Sequence, residues 1–286
     1  PAHGAGSLCG RNISKEAWST IGEQRRTNYA LQPMPKQRFV QMVTVDLPEA
    51  PQYFSRDVEI NREGAPPLAG RTPPAALSPE AVREQAAAGA ALLDVRGAAA
   101  FGAGHVPGSL NIGLSGQFAS WAGALLPAER PLVIVAEDET GAREAVVRLA
   151  RVGLENVAGH LGGGVAAWDR AGLPLPALPQ IAVDELRARL AERAAPQVLD
   201  VRRRAEWAAG HVPGARHVPL DRLEREARSL DPSRATALIC AGGYRSSAAA
   251  SLLERRGFRE LYNVVGGTAA WIAAGYETET PAPDPA

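Results

Sequence analysis

Leu238-Ile239-Cys240-Ala241-Gly242-Gly243-Tyr244-Arg245-Ser246-Ser247 carries an uncharged strand into a glycine loop and out again into a helix. Upstream, Ala235 to Cys240 is apolar and free of charge, as a buried strand requires. Downstream, the helical pattern runs from about Ser246 to Arg256 and stops at Gly257, a residue suited to a helix C-terminus. Working outward, Val183 to Arg193 reads as a helix, Gln197 to Val201 as a strand, Leu261 to Val265 as a strand, and Thr268 to Ala274 as a short closing helix. Strands alternating with helices predict an α/β fold with a parallel sheet flanked by helices.

The same order of signals occurs earlier in the chain. Leu93-Asp94-Val95-Arg96 returns as Leu199-Asp200-Val201-Arg202, and Gly104-His105-Val106-Pro107-Gly108 returns as Gly210-His211-Val212-Pro213-Gly214. Gly163-Gly164-Val165-Ala166-Ala167-Trp168 returns as Gly266-Gly267-Thr268-Ala269-Ala270-Trp271. The offset is 106 at Asp94 and Asp200 and 103 at Trp168 and Trp271, too long for solenoid repeats, so a whole domain is duplicated. Proline-rich joints flank the copies at residues 64–74 and 173–179. These marks divide the chain into an N-terminal segment over 1–68, a first copy over 75–177, a second over 180–277, and a proline- and acid-rich tail over 278–286 expected to be disordered.

Composition removes several function classes. The 286 residues carry 31 basic and 31 acidic side chains, so no broad electrostatic footprint for nucleic acid is expected. No apolar run is long enough for a membrane span, and the N-terminus lacks a signal-peptide pattern. The two cysteines, Cys9 and Cys240, argue against a disulfide framework and for a reducing cytoplasmic setting. The chain opens on Pro1 in what reads as the interior of a domain, which suggests a piece of a longer protein.

Cys240 stands where the carboxyl end of a strand meets a helix N-terminus, the place where parallel sheets bind ligands. Gly242 and Gly243 let the backbone turn its N–H groups inward. The helix start adds unsatisfied donors and partial positive charge, and Arg245 adds a full one. Such surroundings favour a thiolate and would hold a sulfur-bearing anion. Cys240 can then attack the outer sulfur of a donor such as thiosulfate, keep that sulfur as a persulfide, and pass it to a thiophilic acceptor. The loop amides of Ala241, Gly242, Gly243 and Tyr244, together with Arg245 and Ser246, form the anion-binding set. Ser246 has a second reading, as the helix cap.

Cys-Ala-Gly-Gly-Tyr-Arg-Ser from Cys240 to Ser246 resembles the active-site loop of rhodanese sulfurtransferases. Asp200-Val201-Arg202 with Gly210-His211-Val212-Pro213-Gly214-Ala215 resembles that family's N-terminal signature, and Gly266-Gly267 with Trp271 its closing one. The resemblance covers roughly residues 75 to 277. It implies two tandem rhodanese-like domains and thiosulfate-sulfurtransferase-like activity without a cofactor. It also implies a small-molecule sulfur donor, a thiol or cyanide acceptor, and a protein as a further sulfur acceptor. Related phosphatases have five residues between cysteine and arginine; the four here suit sulfur rather than phosphate. A non-catalytic sulfur carrier or redox-sensing binding module is the alternative.

Aligning Gly153 with Gly257 sets Ala136 opposite Cys240, and Glu137, Asp138 and Glu139 replace the anion loop. The first copy therefore reads as catalytically inactive, a scaffold for the second. Asp94, Arg96 and His105 persist in that copy, so Asp200, Arg202 and His211 read as supporting residues rather than reacting ones. Trp168 and Trp271 read as core, and Arg222 to Arg228 as a solvated helix face.

The opening residues Pro1 to Gly10, with Asn28 to Met34 and Asp57 to Arg62, resemble the C-terminal tail of metallo-β-lactamase-fold hydrolases of the persulfide dioxygenase-like group. His3 matches one metal-site histidine of that fold. The His-x-His-x-Asp-His cluster is absent from the sequence, so the segment reads as a truncated tail with no bound metal. Cys9 reads as a packing residue.

Overall fold

The computed structural model describes residues 16, 18–44, 53–64 and 73–281. Contacts divide the chain at Ala50 into two compact units. The first holds α1 (Ile21–Thr27), a 3-10 turn (Tyr29–Leu31) and α2 (Lys36–Thr44), none of which buries a residue. Thr20 caps α1 by accepting from the Glu23 amide. The second unit begins with α3 (Phe54–Glu63) and holds both copies of the repeat.

The first copy runs β1 (Ala76–Leu77), α4 (Pro79–Ala87), β2 (Ala91–Asp94), α5 (Ala98–Ala103), β3 (Leu110–Asn111), α6 (Phe118–Leu125), β4 (Leu132–Val135), α7 (Glu139–Ala150), β5 (Val157–Leu161) and α8 (Gly164–Arg170). The second runs β6 (Gln180–Ile181), α9 (Val183–Leu190), β7 (Gln197–Asp200), α10 (Arg204–Ala208), β8 (Arg216–His217), α11 (Leu223–Glu226), β9 (Thr236–Ile239), α12 (Tyr244–Glu254), β10 (Leu261–Val264) and α13 (Gly267–Ala273). Each copy is one five-stranded sheet, ordered β1-β5-β4-β2-β3 and β6-β10-β9-β7-β8, with every pair parallel. The fold is therefore α/β, two parallel sheets flanked by helices.

The central strands β2, β4, β9 and β10 are buried at every position, which is why they read as mostly apolar runs rather than alternating ones. Leu93, Ile134, Leu199 and Leu238 have no exposed surface, and each such side chain contributes roughly 1.5–3 kcal/mol by leaving water. Trp168 and Trp271 are buried too, donating from Nε1 to the carbonyls of Pro174 and Glu277 at 2.8 Å each.

α12 departs from the usual amphipathic helix. Its residues from Ser246 to Leu253 are all buried, because one side packs on β9 and β10 and another on β3 of the first copy. Ser247 Oγ donates to Asn111 Oδ1 at 2.6 Å, and the Asn111 amide donates to Ser251 Oγ at 3.0 Å. Small residues at Ser246-Ser247-Ala248-Ala249-Ala250-Ser251 permit that approach on both sides.

Two expectations need correction. Disorder was expected from Thr278, but Glu279 exchanges two 2.9 Å backbone hydrogen bonds with His211, and its carboxylate accepts from the Gly214 amide. The unpaired backbone of the Gly-His-Val-Pro-Gly turn recruits the chain through this bridge; residues 282–286 lie outside the described residues. The segment Arg222 to Arg228 is not a wholly solvated face, since Leu223 and Ala227 reach the core.

α13 meets the Cys240 loop at Gly267, where φ is +55° and a Cβ would overlap the carbonyl oxygen of Cys240. At the matching Gly164, φ is +59° and the nearest atom, the Ala136 carbonyl oxygen, would lie 3.1 Å away. Gly267→Ala is expected to cost at least about 3 kcal/mol and Gly164→Ala about 1–2 kcal/mol, measured as shifts in urea unfolding midpoints. Equal shifts would mean that the close approach at Gly267 carries no special weight.

Candidate active site

The chain order places the site. From β7 the chain moves to one edge through β8, whereas from β9 it moves to the other through β10. The carboxyl ends of β7 and β9 therefore flank the point where the winding reverses, the crevice in which such sheets bind ligands. Cys240 follows β9 directly, and Asp200 ends β7.

Cys240 is a free thiol, 1% exposed. Its sulfur accepts from the Gly243 amide at 3.1 Å and from Ser246 Oγ at 3.4 Å. Gly243 is the residue before α12 and has φ +99°, which glycine adopts without strain. It provides no side-chain cap, so the first-turn amides of α12 keep their hydrogen-bonding capacity for whatever occupies the loop. Ser246 lies inside α12 rather than at its cap position; its hydroxyl faces the sulfur. The carbonyls of Cys240 and Ala241 turn the opposite way and accept from Thr268 and Ala269 at 2.8 and 3.1 Å.

Arg245 stands at the second position of α12, and its guanidinium is gripped by Glu206 from α10. Nη1 donates to Oε2 at 2.7 Å and Nη2 to Oε1 at 2.6 Å. Burial, the largest influence on Arg245, opposes its charge, but Glu206 more than offsets this, with smaller help from Cys240 and Asp200, and holds the group above its ordinary value. The hydrogen bond from Arg245 in turn holds the Glu206 carboxyl below its ordinary range, against burial. Glu206 escaped the sequence reading because it lies 39 residues from Arg245. The signal was available at the matching place in the first copy, which is Ala100.

Asp200 and Arg202 pair with each other rather than with the loop. Arg202 Nη2 donates to Asp200 Oδ2 at 2.6 Å and to the Gly210 carbonyl at 2.8 Å. Arg96 repeats this with Asp94 at 2.6 Å and with Gly104 at 2.8 Å. His211 Nδ1 lies 3.1 Å from the Trp207 carbonyl, with its ring stacked on Trp207 at 4.1 Å. His105 stacks likewise on Phe101 at 4.0 Å. Identical geometry in both copies marks these residues as parts that tie a strand end to the following turn.

In the first copy the register Asp94↔Val135 matches Asp200↔Ile239, so Ala136 takes the place of Cys240. There Asp138 caps α7 by accepting from the Gly141 amide at 2.8 Å. A carboxylate of the chain itself fills the helix N-terminus that the second copy leaves to the sulfur.

The first copy also touches the loop. Tyr244 Oη donates to the Gly113 carbonyl at 2.8 Å, and burial pushes its phenol far above the usual range, so it stays a donor.

A duplicated parallel α/β domain with one cysteine loop at a winding reversal defines a class, and the chain belongs to it: the sequence profile described as Rhodanese-like domain matches residues 78–171 and 182–274, well over half the chain. Among its relatives, a Bacillus subtilis (strain 168) protein, YrkF, named as a candidate sulfur carrier, is 32% identical over 94 residues, 33% of this chain and 51% of that one. The thiosulfate sulfurtransferase GlpE of Pseudomonas putida (strain KT2440) is 37% identical over 83 residues, 29% of this chain and 74% of GlpE. The chain spans 51% of YrkF and 60% of YqhL, also of Bacillus subtilis. A crystal structure of thiosulfate sulfurtransferase from Pseudomonas aeruginosa is 28% identical, with a TM-score of 0.33, covering 72% of this chain and 43% of that one.

Two outcomes follow from this geometry. Tyr244→Phe is expected to lower stability by about 1 kcal/mol in urea unfolding, since the half-buried tyrosine gives up its bond to Gly113. The Glu206–Arg245 pair contributes stability fully present above the ordinary carboxylate value of 4.5 and lost as pH falls through the lowered folded value. Glu206→Gln should thus be less stable than wild type at neutral pH, with the gap closing in acid. A gap that widens in acid would reverse the assigned sign.

Proposed function

We propose that the chain is a rhodanese-type sulfurtransferase that moves sulfane sulfur through a persulfide on Cys240. The observation that carries this reading is the pair of donors on the Cys240 sulfur, the Gly243 amide and Ser246 hydroxyl, at a helix N-terminus that has no cap of its own. Donors placed that way stabilise negative charge on sulfur, both before the transfer and on the outer sulfur afterwards. The donor is thiosulfate or a persulfide. The Cys240 sulfur bonds to the donor's outer sulfur, the donor's S–S bond breaks, and the electron pair leaves with sulfite or a thiolate. A thiol, cyanide or an acceptor protein then removes the sulfur, which completes a two-step cycle. Ala241, Gly242, Gly243, Tyr244, Arg245 and Ser246 form the loop around the reacting atoms. Asp200, Arg202 and His211 support its frame.

The name of YrkF favours a carrier that loads sulfur without turnover, as the second reading. The near-complete burial of Cys240 weighs against a general redox sensor, because oxidation follows exposure. A free thiol fits a reducing cytoplasmic setting. Among the described residues, no helix is long and apolar enough to cross a membrane.

We also infer that residues 1–68 derive from the tail of a metallo-β-lactamase-fold hydrolase. The support is sequence likeness at Asn28 to Met34 and Asp57 to Arg62; Pro1 to Gly10, with His3 and Cys9, lie outside the described residues.

Mass spectrometry after thiosulfate exposure should show one added sulfur on Cys240, lost on adding cyanide, with steady thiocyanate production. Cys240→Ser should abolish both while keeping the wild-type thermal transition. Loading without turnover would select the carrier, and turnover surviving in Cys240→Ser would remove Cys240 as the nucleophile.

A further inference from the structure

We infer that Glu206 determines how much negative charge a sulfur donor can bring to Cys240, making the site selective for donors with at most one negative charge over dianions. This rests on Cys240 being the sulfur-carrying residue and adds the donor's charge class.

Both terminal nitrogens of Arg245 are held by a single carboxylate, at 2.7 and 2.6 Å. The next guanidinium at the strand ends, Arg202, is held by Asp200 through Nε and Nη2. Arg245 and Arg202 are each matched by their own anion, so these four side chains sum to no formal charge. A thiolate makes the pocket negative. A dianion such as thiosulfate is then repelled by the thiolate, and the charge of Arg245 that would attract it is offset by Glu206 unless the donor displaces that carboxylate. A donor with one charge meets a weaker version of the same barrier, since the repulsion scales with the donor's charge.

The duplication shows that Glu206 accompanies the cysteine and not the fold. The first copy keeps Asp94 and Arg96 in the same contacts as Asp200 and Arg202. It has Ala136, Gly141 and Ala100 where the second has Cys240, Arg245 and Glu206. The copy folds without the Glu–Arg pair, so the pair is not required to build the domain. Glu206 acts on the reaction through Arg245 and is a positioning residue.

Thiosulfate and methanethiosulfonate test this directly. Both give up an outer sulfur to Cys240: a new S–S bond forms, the donor's S–S bond breaks, and the electron pair leaves on sulfite in one case and methanesulfinate in the other. They differ by one unit of charge. Glu206→Gln should raise the ratio of kcat/KM for thiosulfate to that for methanethiosulfonate by about tenfold at low salt, with the increase shrinking as ionic strength rises. Glu206→Asp, which keeps the charge, should hold the wild-type ratio. If Glu206→Gln, assayed well below its thermal transition, lowers both donors alike or leaves the ratio unchanged, Glu206 supports the loop without selecting charge and the inference is overturned. If wild type gains no sulfur on Cys240 from either donor, it is the sulfur-transfer reading that fails.

Discussion

The carbonyls of Cys240 and Ala241 are taken by the amides of Thr268 and Ala269, and this decides which way the peptide planes of the loop face. In a trans peptide the N–H of the next residue points opposite to the C=O, so these two bonds direct the Ala241 and Gly242 amides away from α13. The contact is only attainable because Gly267 has no side chain, so the backbone of α13 can lie against the carbonyl of Cys240. The Gly243 amide then meets the sulfur, and α12 starts without a cap. A motif near the end of the domain, Gly266-Gly267, thus fixes the first two peptide planes after a cysteine 27 residues before Gly267. The path of the chain through the Cys240 loop depends on this backbone packing before it depends on any side chain.

The two copies separate what the fold needs from what the Cys240 loop adds. Both retain the buried aspartate–arginine pair, the bond from that arginine to the turn carbonyl, and the histidine stacked on an aromatic ring. Burial holds the Asp94 carboxyl above its usual range even with Arg96 against it, so this buried pair carries a desolvation cost in the first copy. A costly pair kept where no cysteine remains points to a role in architecture: it joins the strand end to the turn eight residues on. The loop behaves differently. With Ala136 in place of the cysteine, α7 is capped by Asp138, a local solution that needs no ligand. The first copy thus differs from the second in two ways at this place, an alanine where the cysteine stands and a helix N-terminus taken by the chain's own carboxylate.

The fold was legible because buried parallel strands are continuous apolar runs and because the duplication supplied each signal twice. The strand before Cys240 and the glycine loop were readable for the same reason: both are local. What escaped was long-range. Glu206 sits in a charged run, Arg203-Arg204-Ala205-Glu206, that reads as ordinary surface until β7 and β9 are placed side by side. The role of Ser246 also depended on phase. Reading the helix from Ser246 made it a cap, whereas a helix that begins at Tyr244 turns the same hydroxyl toward Cys240. The ordered bridge at Glu279 was hidden because its partner is backbone in the Gly-His-Val-Pro-Gly turn, and a backbone partner leaves no compositional trace.

α12 makes the first copy more than a spacer in this structure. Its N-terminus meets the Cys240 sulfur, and its body is buried against the first copy through Ser247 and Ser251 on Asn111. At its far end, Glu254 reaches His105 Nε2 at 2.9 Å; at its near end, Tyr244 reaches Gly113. Hydrogen bonds of this kind contribute about 1 kcal/mol each, and they are spread along the whole helix from the loop to its last turn. A helix packed on one side only could shift or rotate by a fraction of a turn, carrying the loop amides with it. With both sides engaged, α12 has no solvent face along which to move, and the direction of the donors at Cys240 is fixed by packing from two domains rather than one.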